Sequence, residues 1–134
     1  MHSKAQSTKE LTNIQMSLGD AIDRITILSR KIFFGEEGAY KEHSYLCECF
    51  DDMDIKLSGS LLAAVIRLNQ MNIEVWNLEN QMRNDSENNM PLAEVGRRAI
   101  AIRDFNKKRI EYKNEINRLT GLGFREFKTK HRSQ

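Results

Sequence analysis

Polar side chains occupy positions of the segment NIEVWNLENQMR, residues 72–83, that an amphipathic helix would normally bury. At about 100° of rotation per residue, Asn72, Trp76, Glu79 and Arg83 fall within an arc of roughly 60°. An amide, a carboxylate and a guanidinium on one helix face can hydrogen-bond to a neighbouring helix, or they can bind a phosphate or carboxylate. Either the polar face is structural or it binds a ligand.

Two other predicted helices carry polar side chains on or beside their apolar faces in the same way. The candidate ligand-binding residues of all three helices are Asp20, Arg24, Asn72, Trp76, Glu79, Arg83, Asn106, Arg109, Lys113 and Asn117. In Asp20–Arg24 and Glu79–Arg83 an acid precedes a base by one helical turn, the favourable order for an ion pair within a helix. If all the charged groups are ionised, two acids and four bases leave a charge of about +2. Burying that surplus is costly unless water, an anion or exposure offsets it.

Two interpretations of this cluster remain open. In the first, the polar groups form salt bridges and hydrogen bonds that fix helix register, with the long basic side chains reaching solvent. In the second, they line a pocket between helices that binds a small anionic ligand, or that catalyses a reaction by electrostatics. The first is favoured, because structural networks also produce this pattern. Trp76 is likewise better explained as a core residue than as a stacking platform for a ligand.

No recognisable catalytic or metal-binding motif accompanies the cluster. The sequence lacks G-x-S-x-G, a Walker phosphate-binding loop and H-E-x-x-H. His43, Cys47 and Cys49 form H-x-x-x-C-x-C, at best half of a zinc site, and no second pair of ligands is evident. We therefore predict no metal, no cofactor and two reduced cysteines, and the balance of these observations argues against an enzyme.

The first two elements that position the candidates are predicted to be helices. Ser17 suits the N-cap of a first helix, because Asp20 follows it in the pattern S-x-x-D. This helix is expected to stop at Gly35. A second helix is predicted over roughly residues 39–56 from its apolar spacing.

The second half of the chain is predicted to form two longer helices. A third helix covers residues 61–84, and the polar segment 85–89 follows it as a loop. Pro91 suits the first turn of a fourth helix over about residues 92–120, which Gly121 ends. The pattern indicates an all-α protein, an antiparallel four-helix bundle or a close relative, with long third and fourth helices.

The chain of 134 residues has the size of one domain. We expect a flexible N-terminal lead over residues 1–16, a single helical domain over 17–128 and a frayed tail over 129–134. The longest apolar run, residues 61–66, is too short to cross a membrane. The N-terminal segment MHSKAQSTKE lacks the apolar core of a signal peptide, so a cytoplasmic location is expected.

Charge is unevenly distributed along the sequence. Residues 97–134 contain 12 basic and 4 acidic residues, a net charge of +8, whereas residues 1–96 carry 9 − 15 = −6. Attraction between the two parts within one bundle explains this better than binding to an anionic partner. The outer face of the fourth helix mixes lysines with acids, which argues against nucleic-acid binding.

Four blocks of the sequence resemble those of small bacterial proteins with a domain of unknown function. They are SLGDAIDRITILSRK (17–31), NIEVWNLENQMR (72–83), NKKRIEYKNEIN (106–117) and GFREFK (123–128). The family patterns are S-x-G-E-x-x-D-K-[IL]-T-I-L-x-x-K, N-x-x-L-W-x-x-E-D-x-x-R, N-x-x-R-x-x-x-K-x-x-I-N and, near the end, E-x-K. Asp20 and Arg24 keep the charge of the family's residues, but Asn80 replaces an acid beside Glu79, which argues against a Mg²⁺ site of paired carboxylates. The resemblance implies a helical fold and brings no activity with it.

These observations favour a non-catalytic helical module for binding or interaction, forming a homo-oligomer. The first alternative is an enzyme or a binder of small phosphate or carboxylate metabolites that uses the cluster between the helices. The second is nucleic-acid binding through the basic C-terminal segment.

Overall fold

The computed structural model describes residues 12–86, 90–122 and 125–129, and side chains over residues 16–84 and 90–122. The helices of this part are α1 (Leu18–Phe33), α2 (Tyr40–Asp51), α3 (Gly59–Ser86) and α4 (Leu92–Thr120), with one 3₁₀ turn at Glu37–Ala39. The two long helices, α3 and α4, form the most extensive pairing; α1 packs against both of them and α2 packs against α1. The predicted all-α bundle with long third and fourth helices is confirmed. None of the described helices is long and apolar enough to cross a membrane.

The ends of α1 and α4 follow the capping signals of the sequence. The Ser17 hydroxyl accepts a hydrogen bond of 3.0 Å from the backbone N–H of Asp20, as an N-cap does. Gly35 after α1 and Gly121 after α4 have φ angles of 91° and 69°. Glycine adopts such angles more readily than residues with a side chain, so these residues end the helices where they were predicted to end.

The second helix is shorter than the sequence predicted. It ends at Asp51 and not near residue 56. Asp51, Asp52 and Asp54 place negative charge at the end of the helix where the backbone dipole is itself negative, which opposes further helix. The Ser58 hydroxyl then accepts from the backbone N–H of Leu61 and caps the start of α3.

The structure also contains a pair of antiparallel strands, which the sequence analysis did not predict. β1 (Thr12–Met16) pairs with β2 (Arg125–Thr129), with Thr12 opposite Thr129 and Met16 opposite Arg125. The predicted N-terminal lead therefore ends in a strand, and the C-terminal segment contains its partner. Residues 1–11 and 130–134 lie outside the described residues, so the flexible lead and frayed tail stay predictions there.

The core lies where α1, α2, α3 and α4 meet. Its fully buried large side chains are Leu18, Leu28, Leu46, Leu68 and Ile116. The backbone N–H of Leu18 donates to the carbonyl oxygen of Leu122 at 3.1 Å, which ties the start of α1 to the segment after α4.

Candidate functional site

A buried carboxylate on α1, that of Asp23, lies at the centre of the polar groups between α1, α3 and α4. Its side chain is 8% exposed. Arg109 of α4 donates to both carboxylate oxygens, from Nε at 2.9 Å and from Nη2 at 2.7 Å. Asn72 of α3 donates to the same carboxylate at 2.8 Å. Asp23, Asn72, Arg109 and the neighbouring Asn106 form what we call the polar layer, which joins three helices.

Further hydrogen bonds extend the polar layer. Arg109 Nη1 donates to Asn106 Oδ1 at 3.2 Å. The Thr26 hydroxyl lies 2.8 Å from Asn72 Nδ2 and donates to the backbone carbonyl of Asp23 at 2.7 Å. The hydrogen bonds to Asp23 raise the pKa of Arg109 above its usual value, although burial of the guanidinium acts in the opposite direction. Arg109 is therefore cationic, and its charge faces a carboxylate.

A second set of contacts joins α1 and α4 beside the polar layer. Lys113 Nζ lies 2.9 Å from Asp20 Oδ1. The backbone N–H of Gly19 donates to Asn117 Oδ1 at 2.7 Å. A Cβ atom at Gly19 would overlap the backbone carbonyl of Lys113, so α1 can approach α4 this closely only because residue 19 is glycine.

Six of the ten candidate residues thus meet between the helices: Asp20, Asn72, Asn106, Arg109, Lys113 and Asn117. Arg24 does not join them. Its guanidinium donates to Glu42 of α2 at 2.9 and 2.8 Å, and this hydrogen-bonded ion pair raises the pKa of Arg24. Asp20 and Arg24 stand in the favourable order for an ion pair within a helix, but each contacts a residue of another helix, Lys113 and Glu42 respectively. Whether the candidates bind a ligand stays a prediction.

Trp76, Glu79 and Arg83 occupy the outer part of the structure. Trp76 is half-buried and stacks on Phe34, with ring centroids 5.8 Å apart and planes at 10°. Glu79 and Arg83 are exposed, and Arg83 donates to Asn80 on the same helix. The polar face of residues 72–83 therefore begins in the polar layer at Asn72 and continues to the surface.

Asp23 and Glu42 were absent from the candidate residues, and they change the charge of the site. Asp20 and Asp23 balance Arg109 and Lys113, whereas Glu42 balances Arg24. The predicted surplus of about +2 is therefore not present in the polar layer and its neighbours. Asp23 had one signal in the sequence, since it occupies the Asp position of the family pattern S-x-G-E-x-x-D.

A separate apolar groove lies between α1, α2 and α3. Its volume is about 350 Å³, and its lining includes Ile25, Cys47, Phe50, Leu57, Leu62 and Val65. Leu57 and Leu62 are 67% and 47% exposed. Asp51 lies at the groove, and none of the lining side chains is basic. Ligand sites are commonly about 300–1,000 Å³ and largely apolar, so the groove is at the small end of that range.

Cys47, one residue of the H-x-x-x-C-x-C pattern, lines this groove. Cys47 Sγ is 3.9 Å from His43 Nδ1, and His43 Nε2 is 2.8 Å from the Ser29 hydroxyl. Burial raises the pKa of the Cys47 thiol, which disfavours the nucleophilic thiolate. Over the described residues, no three side chains of the metal-binding types come together as a site.

Comparison with known proteins gives no further information on the site, so its interpretation rests on its geometry. No protein-family model, no curated protein and no solved structure matches this chain. The resemblance to the bacterial family therefore stays a proposal.

Proposed function

We propose that this chain is a non-catalytic helical module that binds a protein partner through its apolar groove. The observation that carries the proposal is the exposure of Leu57 and Leu62 at an apolar cavity, whereas five other leucines are buried in the core of the bundle: Leu18, Leu28, Leu46, Leu61 and Leu68. Exposed leucines at an apolar groove make this surface a candidate interaction site. Membership of the bacterial family, a cytoplasmic location and a homo-oligomeric state belong to the same proposal and rest on the sequence patterns.

The alternative, binding of a small anion by the charged cluster, has less support. An anion site needs cations that a ligand can reach, and Arg109, Lys113 and Arg24 each contact a carboxylate. An anion would have to displace Asp23 or Asp20 from these partners, and the displaced carboxylate would then lose its own pairing. A thermal-shift panel of phosphorylated and carboxylated metabolites tests this alternative.

Site-specific photo-crosslinking tests the proposed function. A photoreactive amino acid at Leu62, in the groove, should crosslink a protein in the organism's own cells. The same amino acid at Arg67 is the control, because Arg67 is exposed on α3 outside the groove. We expect the Leu62 position to give the stronger crosslink, whether to a second copy or to another protein. Equal or absent crosslinking at the two positions would overturn the proposal.

A further inference from the structure

The apolar groove has an acidic border. Asp51 lies at the groove itself, and Glu48, Asp52 and Asp54 are exposed in the segment that ends α2 and follows it. Residues 48–54 contain no basic residue. A partner that fits this surface has to combine apolar side chains with basic ones.

The outer face of α4 has that combination. Leu92, Ile100 and Ile110 are 83%, 51% and 53% exposed. Arg103 and Lys107 are exposed between them along the helix. At about 100° per residue these five side chains fall within an arc of roughly 80°, and we call them the outer stripe. Arg103 lies 3.6 Å from the exposed Asp104, a contact that solvent weakens.

We infer that the partner of the groove is a second copy of this chain, whose outer stripe docks against the apolar groove. The inference rests on the proposed function and names its partner. Both surfaces are exposed within one copy, so neither is covered by the other in the same chain. Between two copies, apolar side chains of the stripe meet Leu57 and Leu62, and Lys107 approaches the acidic border.

The contact joins two different surfaces, so its symmetry has a consequence. If each stripe reaches the groove of the other copy, the assembly closes as a two-fold dimer with two identical contacts. If the contact is instead head-to-tail, the copies form a ring where the rotation closes and an open filament where it does not. The charges at the acidic border are exposed, so added salt screens their attraction to the basic residues of the stripe. Association should therefore weaken as the salt concentration rises.

A pair of adjacent lysines provides the first test, by sedimentation equilibrium over a range of concentrations. Lys107 belongs to the outer stripe, whereas Lys108, which is also exposed, lies about 100° further round the helix. We expect Lys107→Glu to raise the dissociation constant about fivefold or more, and Lys108→Glu to leave it within about twofold. Asp51→Lys combined with Lys107→Glu should restore association. A strictly monomeric wild type, or equal effects of the two lysine substitutions, would overturn the inference.

Chemical crosslinking locates the contact independently of the charges. Cys47 lines the groove, so in a Cys49→Ser background it is the remaining natural cysteine. With Ile110→Cys added, a short bismaleimide should crosslink two copies, whereas the matched Lys108→Cys variant should not. Equal crosslinking of the two variants would contradict the docking arrangement, and circular dichroism confirms that each variant is folded.

The outcomes separate this inference from the proposed function. If the wild type is monomeric but Leu62 photo-crosslinks to a different protein, the groove is an interaction site and the second copy is not its partner. If the copies associate but Leu62 gives no crosslink, association uses another surface and both proposals fail.

Discussion

Asp23 places a negative charge inside the bundle, and Arg109 balances it through two hydrogen bonds of 2.9 and 2.7 Å. Arg109→Ala would leave the buried carboxylate without its cation. Since a buried charge that loses its partner is strongly destabilising, we expect the free energy of unfolding to fall by about 3 kcal/mol. Urea denaturation monitored by circular dichroism measures this change.

The control variant removes the unpaired negative charge of Asp23. Asp23→Asn added to Arg109→Ala keeps an oxygen acceptor for Asn72 but has no carboxylate, so we expect it to recover at least about 1 kcal/mol of the loss. If the double variant is as unstable as Arg109→Ala, the uncompensated charge of Asp23 is not the cause of the destabilisation.

The residues themselves show how far a helical projection can predict a site. It orders side chains around one helix, and it placed Asn72, Arg109 and Lys113 on faces that do meet other helices. It does not specify which neighbouring helix each residue faces. The pairing of Arg24 with Glu42 of α2 could not be predicted in this way, because it depends on how α1 packs against α2 and has no signal within either helix.

At the scale of the elements, the close contact of α1 and α4 depends on Gly19. A Cβ atom there would overlap the backbone carbonyl of Lys113, and a backbone atom cannot move aside without shifting the helix. We expect Gly19→Ala to lower the free energy of unfolding by about 1–3 kcal/mol, the usual cost of overpacking. Thermal and urea unfolding measure the loss.

Gly96 is the matched control, since it also lies within a helix. It is exposed in α4, and a Cβ atom there would meet no neighbour within 4 Å. Gly96→Ala should therefore stabilise the protein by about 0.5–1 kcal/mol through helix propensity. Similar effects at the two glycines would contradict the steric explanation for Gly19.

Local signals determined which elements could be predicted. Ser17, Gly35, Pro91 and Gly121 act within a few residues of themselves, and the helix boundaries that they mark agree with the structure. β1 and β2 pair residues near opposite ends of the sequence, and such short strands form only when the helices bring them together. No local sequence pattern predicted these two strands.

At the scale of the whole molecule, opposite charges of the two parts of the chain meet between α1 and α4. Asp20–Lys113 and Asp23–Arg109 join the acidic first part to the basic last part. This agrees with the interpretation that the two parts attract each other within one bundle. The uneven charge of the sequence is thus partly used in holding α1 against α4.

The remaining basic residues of α4 largely face acids of the same helix. Arg97 and Arg98 contact Glu94 at 2.7 and 2.8 Å, and Arg118 contacts Glu115 at 2.6 Å. These hydrogen bonds lower the pKa of both Glu94 and Glu115, so the two carboxylates keep their charge as the pH falls below their usual titration range. At neutral pH the arginines therefore already have anionic partners.

This pairing predicts weak binding to nucleic acid. Affinity for nucleic acid depends on cations that release counterions from phosphates, so fluorescence anisotropy with a labelled single-stranded oligonucleotide should give a dissociation constant no tighter than about 10⁻⁴ M at about 0.15 M salt. Glu94→Gln with Glu115→Gln removes the partners of Arg97 and Arg118, and it should tighten binding and steepen its salt dependence. Micromolar binding by the wild type, with a slope that indicates several phosphate contacts, would instead favour the nucleic-acid hypothesis, because the basic residues would then reach phosphates despite their carboxylate neighbours.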